Sequence, residues 1–202
     1  MNSVLLRLDN LKTGWATPMV GPVSLQVKRG EVVGLCGPNG IGKSTVLAAI
    51  SGSATVFSGG IWRAPDCKVT LQTQQQPSLQ GLPLNGHELL ALTGASPAGL
   101  PHWLTDKLTH RVDTLSGGQR QYLVLWAVLN SDADLILLDE PSNNLDVAGS
   151  QHLATAIRAR AQRAKNRGAG VLLVSHEAEL LAVACDRCVE LGESKIEGQQ
   201  HA

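Results

Sequence analysis

The sequence predicts an α/β domain on a mostly parallel sheet, and two observations carry that reading. Short aliphatic or β-branched runs alternate with longer stretches of helical period. A glycine-rich loop, Gly37-Pro38-Asn39-Gly40-Ile41-Gly42-Lys43-Ser44-Thr45, joins one such run to one such stretch. Residues 4–8, 23–27, 32–36, 69–71, 135–138, 171–174 and 187–191 read as strands. Helices are expected over 43–51, where Gly52 supplies the stop, and over 117–129, 148 to about 163, and 177–184. Between 76 and 114, glycines and prolines cut the pattern into short helical pieces with no strand, which reads as a small helical lobe inserted in the core.

Size and charge set bounds. A chain of 202 residues builds one sizeable core but not two. Seventeen basic and 17 acidic residues cancel, so no net field holds a polyanion, and nucleic acid is not an expected partner. The longest apolar runs, such as 135–138 and 180–185, fall far short of the roughly 18–20 residues of a membrane-spanning helix. The opening Met1-Asn2-Ser3-Val4-Leu5-Leu6-Arg7 lacks the basic flank and apolar core of a leader, so a cytoplasmic location is expected. Four scattered cysteines fit reduced thiols. Cys185-Asp186-Arg187-Cys188 has C-x-x-C spacing but lacks a second pair, so its cysteines are expected as small core residues entering a strand rather than as a metal or redox site. Cys36 directly precedes the glycine loop, where a thiol reagent would be felt. Five basic residues in 158–167 are expected on a solvated helix face.

The chemistry concentrates at strand ends. The loop from Gly37 to Thr45 matches G-x-x-x-x-G-K-[ST] between a strand and a helix, the context that motif needs. Its glycines let backbone N–H groups turn around a phosphate, the helix presents its positive end, and Lys43 adds a mobile cation. The Ser44 hydroxyl suits Mg²⁺. The strand at 135–138 ends in Asp139-Glu140-Pro141, at the carboxyl edge where α/β sheets bind ligands. Asp139 fits a Mg²⁺ ligand and Glu140 a general base that activates water.

Leu115-Ser116-Gly117-Gly118-Gln119 is similar to the signature of ATP-binding cassette (ABC) ATPases without substitution, and the chain from about residue 4 to 198 resembles that family. The resemblance implies a P-loop NTPase core with an N-terminal antiparallel β portion. It also implies a single ATPase domain, with residues 1–75 and 130–202 as α/β core and about 76–129 as the lobe with its signature helix. In that family two ATPase domains face head to tail, so Leu115 to Gln119 of one would contact the ATP of its partner, with Ser116, Gly117 and Gly118 at the γ-phosphate. His176, after the strand at 171–174, would contact the γ-phosphate and position Glu140 and the water. Asp146, closing Ser142-Asn143-Asn144-Leu145-Asp146, would couple the two sites. Gln74 is chosen over Gln75 as the glutamine-loop residue, because Val69 and Leu71 stand at the family spacing before it; it would ligate Mg²⁺ or its water. Trp15, the only aromatic before Gly37, would stack on adenine.

The family often carries arginines where this chain has Tyr122 and Ala127, which removes the usual salt bridges beneath the signature helix. The resemblance implies an ATP- and Mg²⁺-dependent ATPase on the inner face of the cell membrane. It would act as a homodimer or heterodimer with a separate transmembrane permease and a possible substrate-binding protein. Importers of cobalamin, haem or metal chelates are the nearest type. A soluble ABC ATPase that powers assembly, as in iron–sulfur cluster formation, is the alternative.

Overall fold

The computed structural model describes residues 3–74, 81–163 and 168–192. Gln75, the rejected glutamine-loop candidate, lies outside them. Two sheets organise the chain. β1 (Val4–Gly14), β2 (Pro18–Lys28) and β4 (Thr55–Arg63) form an antiparallel sheet in the order β2-β1-β4. β3 (Val32–Cys36), β5 (Val69–Gln72), β6 (Leu135–Asp139), β7 (Gly170–Val174) and β8 (Arg187–Glu190) form a parallel sheet in the order β5-β6-β7-β3-β8.

The parallel sheet is buried on both faces, which is why its central strands read as unbroken apolar runs. Leu135 and Leu137 of β6, with Leu172 and Val174 of β7, pack toward α1 (Lys43–Ser51) and the antiparallel sheet. Ile136, Leu138, Val171 and Leu173 pack toward α4 (Gly117–Leu129), α5 (Val147–Ala161) and α6 (Ala178–Ala184). Each such leucine contributes about 1.5–3 kcal/mol by burial. The lobe between β5 and β6 carries α2 (Gly86–Thr93), α3 (His102–Thr105) and a 3₁₀ turn at Val112–Thr114 before α4.

Two strand expectations are corrected. β1 runs six residues past the expected end at Leu8, and β4 was not expected at all. One cause is a local irregularity: Gly59 at φ 78 lies against Asn10 at φ 46, and a Cβ on Gly59 would meet the Asn10 carbonyl oxygen at 2.3 Å. This bulge breaks the alternation in both strands at once. One residue of the basic helix face is also corrected, while Arg163 is exposed as expected and Lys165 and Arg167 lie outside the described residues. Arg160 is 5% exposed; its guanidinium donates to the carbonyls of Leu129 at 2.8 Å, Ser131 at 3.2 Å and Ala133 at 2.6 Å. It satisfies carbonyls that the end of α4 leaves open, where a cation also suits the helix dipole.

Candidate active site

Parallel strands bring their carboxyl ends to one edge, and the register aligns them. Gln72 pairs with Leu138, Asp139 with Val174, and Leu35 with Val174. The loops after β3, β5, β6 and β7 therefore converge on a cavity of about 450 Å³. Asn39, Gly40, Gly42, Lys43, Ser44 and Thr45 line one side, and Gln74, Glu140, Asn143 and His176 the other.

The glycine loop turns into α1 through Gly42, at φ 101. A Cβ there would also meet Val20 at 2.7 Å, so both backbone and packing demand glycine. Lys43 is 7% exposed and donates from Nζ to the carbonyls of Gly37 at 2.8 Å and Pro38 at 3.0 Å. Two carbonyl dipoles thus hold the ammonium on the cavity wall.

Ser44 donates from Oγ to Asp139 at 3.0 Å. Burial pushes the Asp139 carboxyl above its usual range; the Ser44 bond opposes this, and the neighbouring charge of Glu140 reinforces it. Two hard oxygens beside a phosphate cradle are the donor set that Mg²⁺ takes, with substrate and water completing its shell. Among the described residues no group of three or more His, Cys, Asp or Glu is arranged to hold a metal by itself.

Glu140 adopts φ 48, in the left-handed region rare for a side chain of its size. Its N–H donates to the Val174 carbonyl at 2.9 Å, fixing the turn. Its Oε2 meets His176 Nδ1 at 2.7 Å and accepts from the His176 N–H at 3.3 Å. The acid and the histidine expected to cooperate thus touch directly. Gln74 lines the cavity, and its backbone N–H reaches the Asp139 carboxylate. Trp15 lies in the turn between β1 and β2 and is 54% exposed, so it is not a core residue. The residue of that hairpin on the cavity wall is Met19, which the sequence reading missed.

The signature does not line this cavity. Ser116 caps α4: its Oγ accepts from the Gln119 N–H at 3.3 Å, and its N–H donates to Gln119 Oε1 at 3.2 Å. Around Gly117 there is open space, while a Cβ on Gly118 would meet the Asn144 carbonyl oxygen at 3.0 Å. Gln121, with no sequence signal of its own, ties the signature helix to the loop after Glu140. Its amide donates to the carbonyls of Pro141 and Asn143 and accepts from Asn144 Nδ2 at 3.1 Å. Asp146 caps α5 by accepting from the Gly149 N–H at 2.8 Å. Tyr122, where the resemblance implies an arginine, is buried and bonded to His152 Nδ1, with Trp103 edge-on to its ring at 5.3 Å.

Comparison with known proteins decides the family. The family model described as "ABC transporter" matches residues 20–143, more than half of the chain. This chain belongs to the ABC transporter family. The zinc import ATP-binding protein ZnuC of Marinobacter nauticus is 31% identical, over 96% of this chain and 76% of its own. ZnuC of Pseudomonas fluorescens is 32% identical, over 94% and 74%. A solved ATP-binding subunit of an ABC transporter superposes with a TM-score of 0.76 at 26% identity, covering 94% of this chain and 86% of that one. The protein is an ATP-binding, ATP-hydrolysing subunit of an ABC transporter. Among the described residues no helix is long and apolar enough to cross a membrane.

Proposed function

We propose that this subunit powers import of a metal ion or metal chelate, zinc foremost, by hydrolysing ATP between two ATPase domains on the inner face of the membrane. The observation that carries the two-domain reading is the position of Ser116. The signature N-terminus of α4 stands with open space at Gly117 and outside its own phosphate cavity, so one chain supplies half of a complete site. The second half comes from another copy of this chain or a paired ATPase. The cargo reading rests on the zinc import relatives.

In this reading the loop amides and Lys43 hold the phosphates, and Ser44 and Asp139, with Gln74 nearby, would hold Mg²⁺. The cation would supply charge neutralisation on the phosphoryl oxygens. Glu140 takes the proton of the attacking water, and His176 orients Glu140 and reaches toward the γ-phosphate. Ser116 and the N–H groups of Gly117 and Gly118 close the site from the partner, so hydrolysis waits for closure. Gln121 carries closure to the Glu140 loop, and Asp146 lies where that loop enters α5. Trp15 is assigned to adenine stacking.

The test is growth of a deletion strain in medium depleted of zinc by a chelator. Growth should fail, return with added zinc or the wild-type chain, and stay absent with Lys43→Ala. Growth of the deletion strain equal to wild type contradicts the zinc assignment, and rescue by another metal alone reassigns the cargo.

A further inference from the structure

Three of the four cysteines converge where the sequence pattern gave no reason to expect a site. Cys36 ends β3 one residue before the phosphate loop, Cys185 follows α6, and Cys188 lies exposed in the edge strand β8. The expectation that Cys188 is a small core residue is therefore corrected. Gly34 pairs in register with Cys188, and a Cβ on Gly34 would sit 2.8 Å from Cys188 Sγ and 3.1 Å from Cys185 Sγ. The two sulfurs fill the notch left by the missing side chain. Cys188 lies near enough to both Cys36 and Cys185 for their thiols to feel it electrostatically.

Metal binding does not account for the cluster, since among the described residues no group of three or more His, Cys, Asp or Glu is arranged for a cation. Burial, reinforced by Cys188, pushes the Cys36 thiol up to about 11 and the Cys185 thiol up to about 12. Both keep their protons at neutral pH, and both are partly covered. Cys188, the exposed residue of the three on the edge strand, is the one an oxidant meets first.

We propose that Cys188 and Cys185 form a reversible disulfide on exposure to a hydroperoxide, and that this bond slows ATP hydrolysis. The Cys188 thiolate attacks the peroxide; an S–O bond forms, the O–O bond breaks, and the leaving oxygen departs as hydroxide or alkoxide, which takes up a proton. Cys185 sulfur then displaces the hydroxyl from Cys188, its own proton leaving with that oxygen as water. Two thiols are oxidised and one peroxide is reduced.

The shared notch at Gly34 favours Cys185, and register sets Cys36 apart. Cys36 lies opposite Glu190, two residues along from Cys188. That offset is roughly 6.6 Å of rise across strands roughly 4.8 Å apart, beyond the reach of about 7 Å between Cα atoms that a disulfide spans. Cys185 lies three residues from Cys188, across a bend at Asp186. The bond ties the end of α6, which begins two residues after His176, to the edge strand. It also takes Cys188 away from Cys36 beneath the phosphate loop.

The activity half of this proposal rests on the ATPase function; the sulfur half does not. The full chain, reduced and freed of reductant, is first assayed for basal ATPase, so that an inactive protein counts against the function alone. It is then treated with hydrogen peroxide and followed by peptide mass mapping and ATPase rate. A Cys185–Cys188 bridge, a severalfold fall in rate and full recovery with dithiothreitol are expected. Cys188→Ser should keep the basal rate and lose the peroxide response, whereas Cys67→Ser should respond like wild type. A bridge to Cys36, sulfinic or sulfonic Cys188 without a bridge, no reaction, or a bridge that leaves the rate unchanged overturns the proposal.

Discussion

Asp139 and Lys43 show how the site stores unmet charge. Burial raises the Asp139 carboxyl, so the folded protein binds that proton more tightly than the unfolded chain does. A raised carboxyl costs stability above its pKa and stops costing it as the pH falls through that range. Asp139→Asn removes the charge while keeping the shape, and the nucleotide-free variant should melt higher than wild type near pH 7, with the difference shrinking as the pH drops toward the carboxyl range. Differential scanning calorimetry across pH reads this directly. Lys43 is already buried against two carbonyls, so its truncation bears on ligand binding. Lys43→Ala should weaken ATP binding about 10- to 100-fold, the equivalent of the 1.5–3 kcal/mol of a hydrogen bond to a charged group. Calorimetric titration checks it, and unchanged affinity would remove Lys43 from the phosphate site.

Helix α4 and the loop after β6 behave as one element because Gln121 bonds across them. Gln121→Ala should leave the melting temperature within a few degrees, lower kcat and leave KM for ATP near wild type, since the residue does not line the phosphate cavity. A rise in KM with kcat intact would contradict that role. Arg160 anchors the other end of α4, and Arg160→Met would strand three carbonyls. A loss of about 3 kcal/mol is expected, from 1–3 kcal/mol for each unsatisfied group after partial rehydration. In a chain of this size that lowers the melting point by roughly 6–12 °C, at 2–4 °C per kcal/mol. A shift under a degree would show that water replaces the guanidinium freely.

These elements also show what the sequence could reveal. β6 and β7 were legible because both faces are buried and no polar residue interrupts them. The glycine loop and the acidic pair were legible because their chemistry fixes residue type at fixed spacing. β4 was hidden because Val56, Phe57 and Trp62 are exposed and Gly59 breaks its period. Arg160 and Gln121 were hidden because their partners are backbone carbonyls some 20 to 31 residues away, and carbonyls leave no mark on composition. The thiol cluster was hidden because Gly34, which makes room for it, lies on a different strand.

At the scale of the whole molecule, zero net charge and a signature that stands outside the phosphate cavity both suit the proposed pairing of two chains. In the proposed two-chain site, two neutral chains would approach without long-range repulsion, with nucleotide as the attractive element between them. The account's central claim is that ATP is enclosed by the phosphate loop of one chain and the signature of another. Glu140→Gln tests it most directly, because hydrolysis would otherwise reopen the interface before it is observed. Light scattering after size exclusion should give twice the chain mass with MgATP and one chain mass with ADP, with hydrolysis reduced by about 10²–10⁴, the usual contribution of a general base. A variant that stays at one chain mass in saturating MgATP, or that hydrolyses ATP at the wild-type rate, would contradict the account.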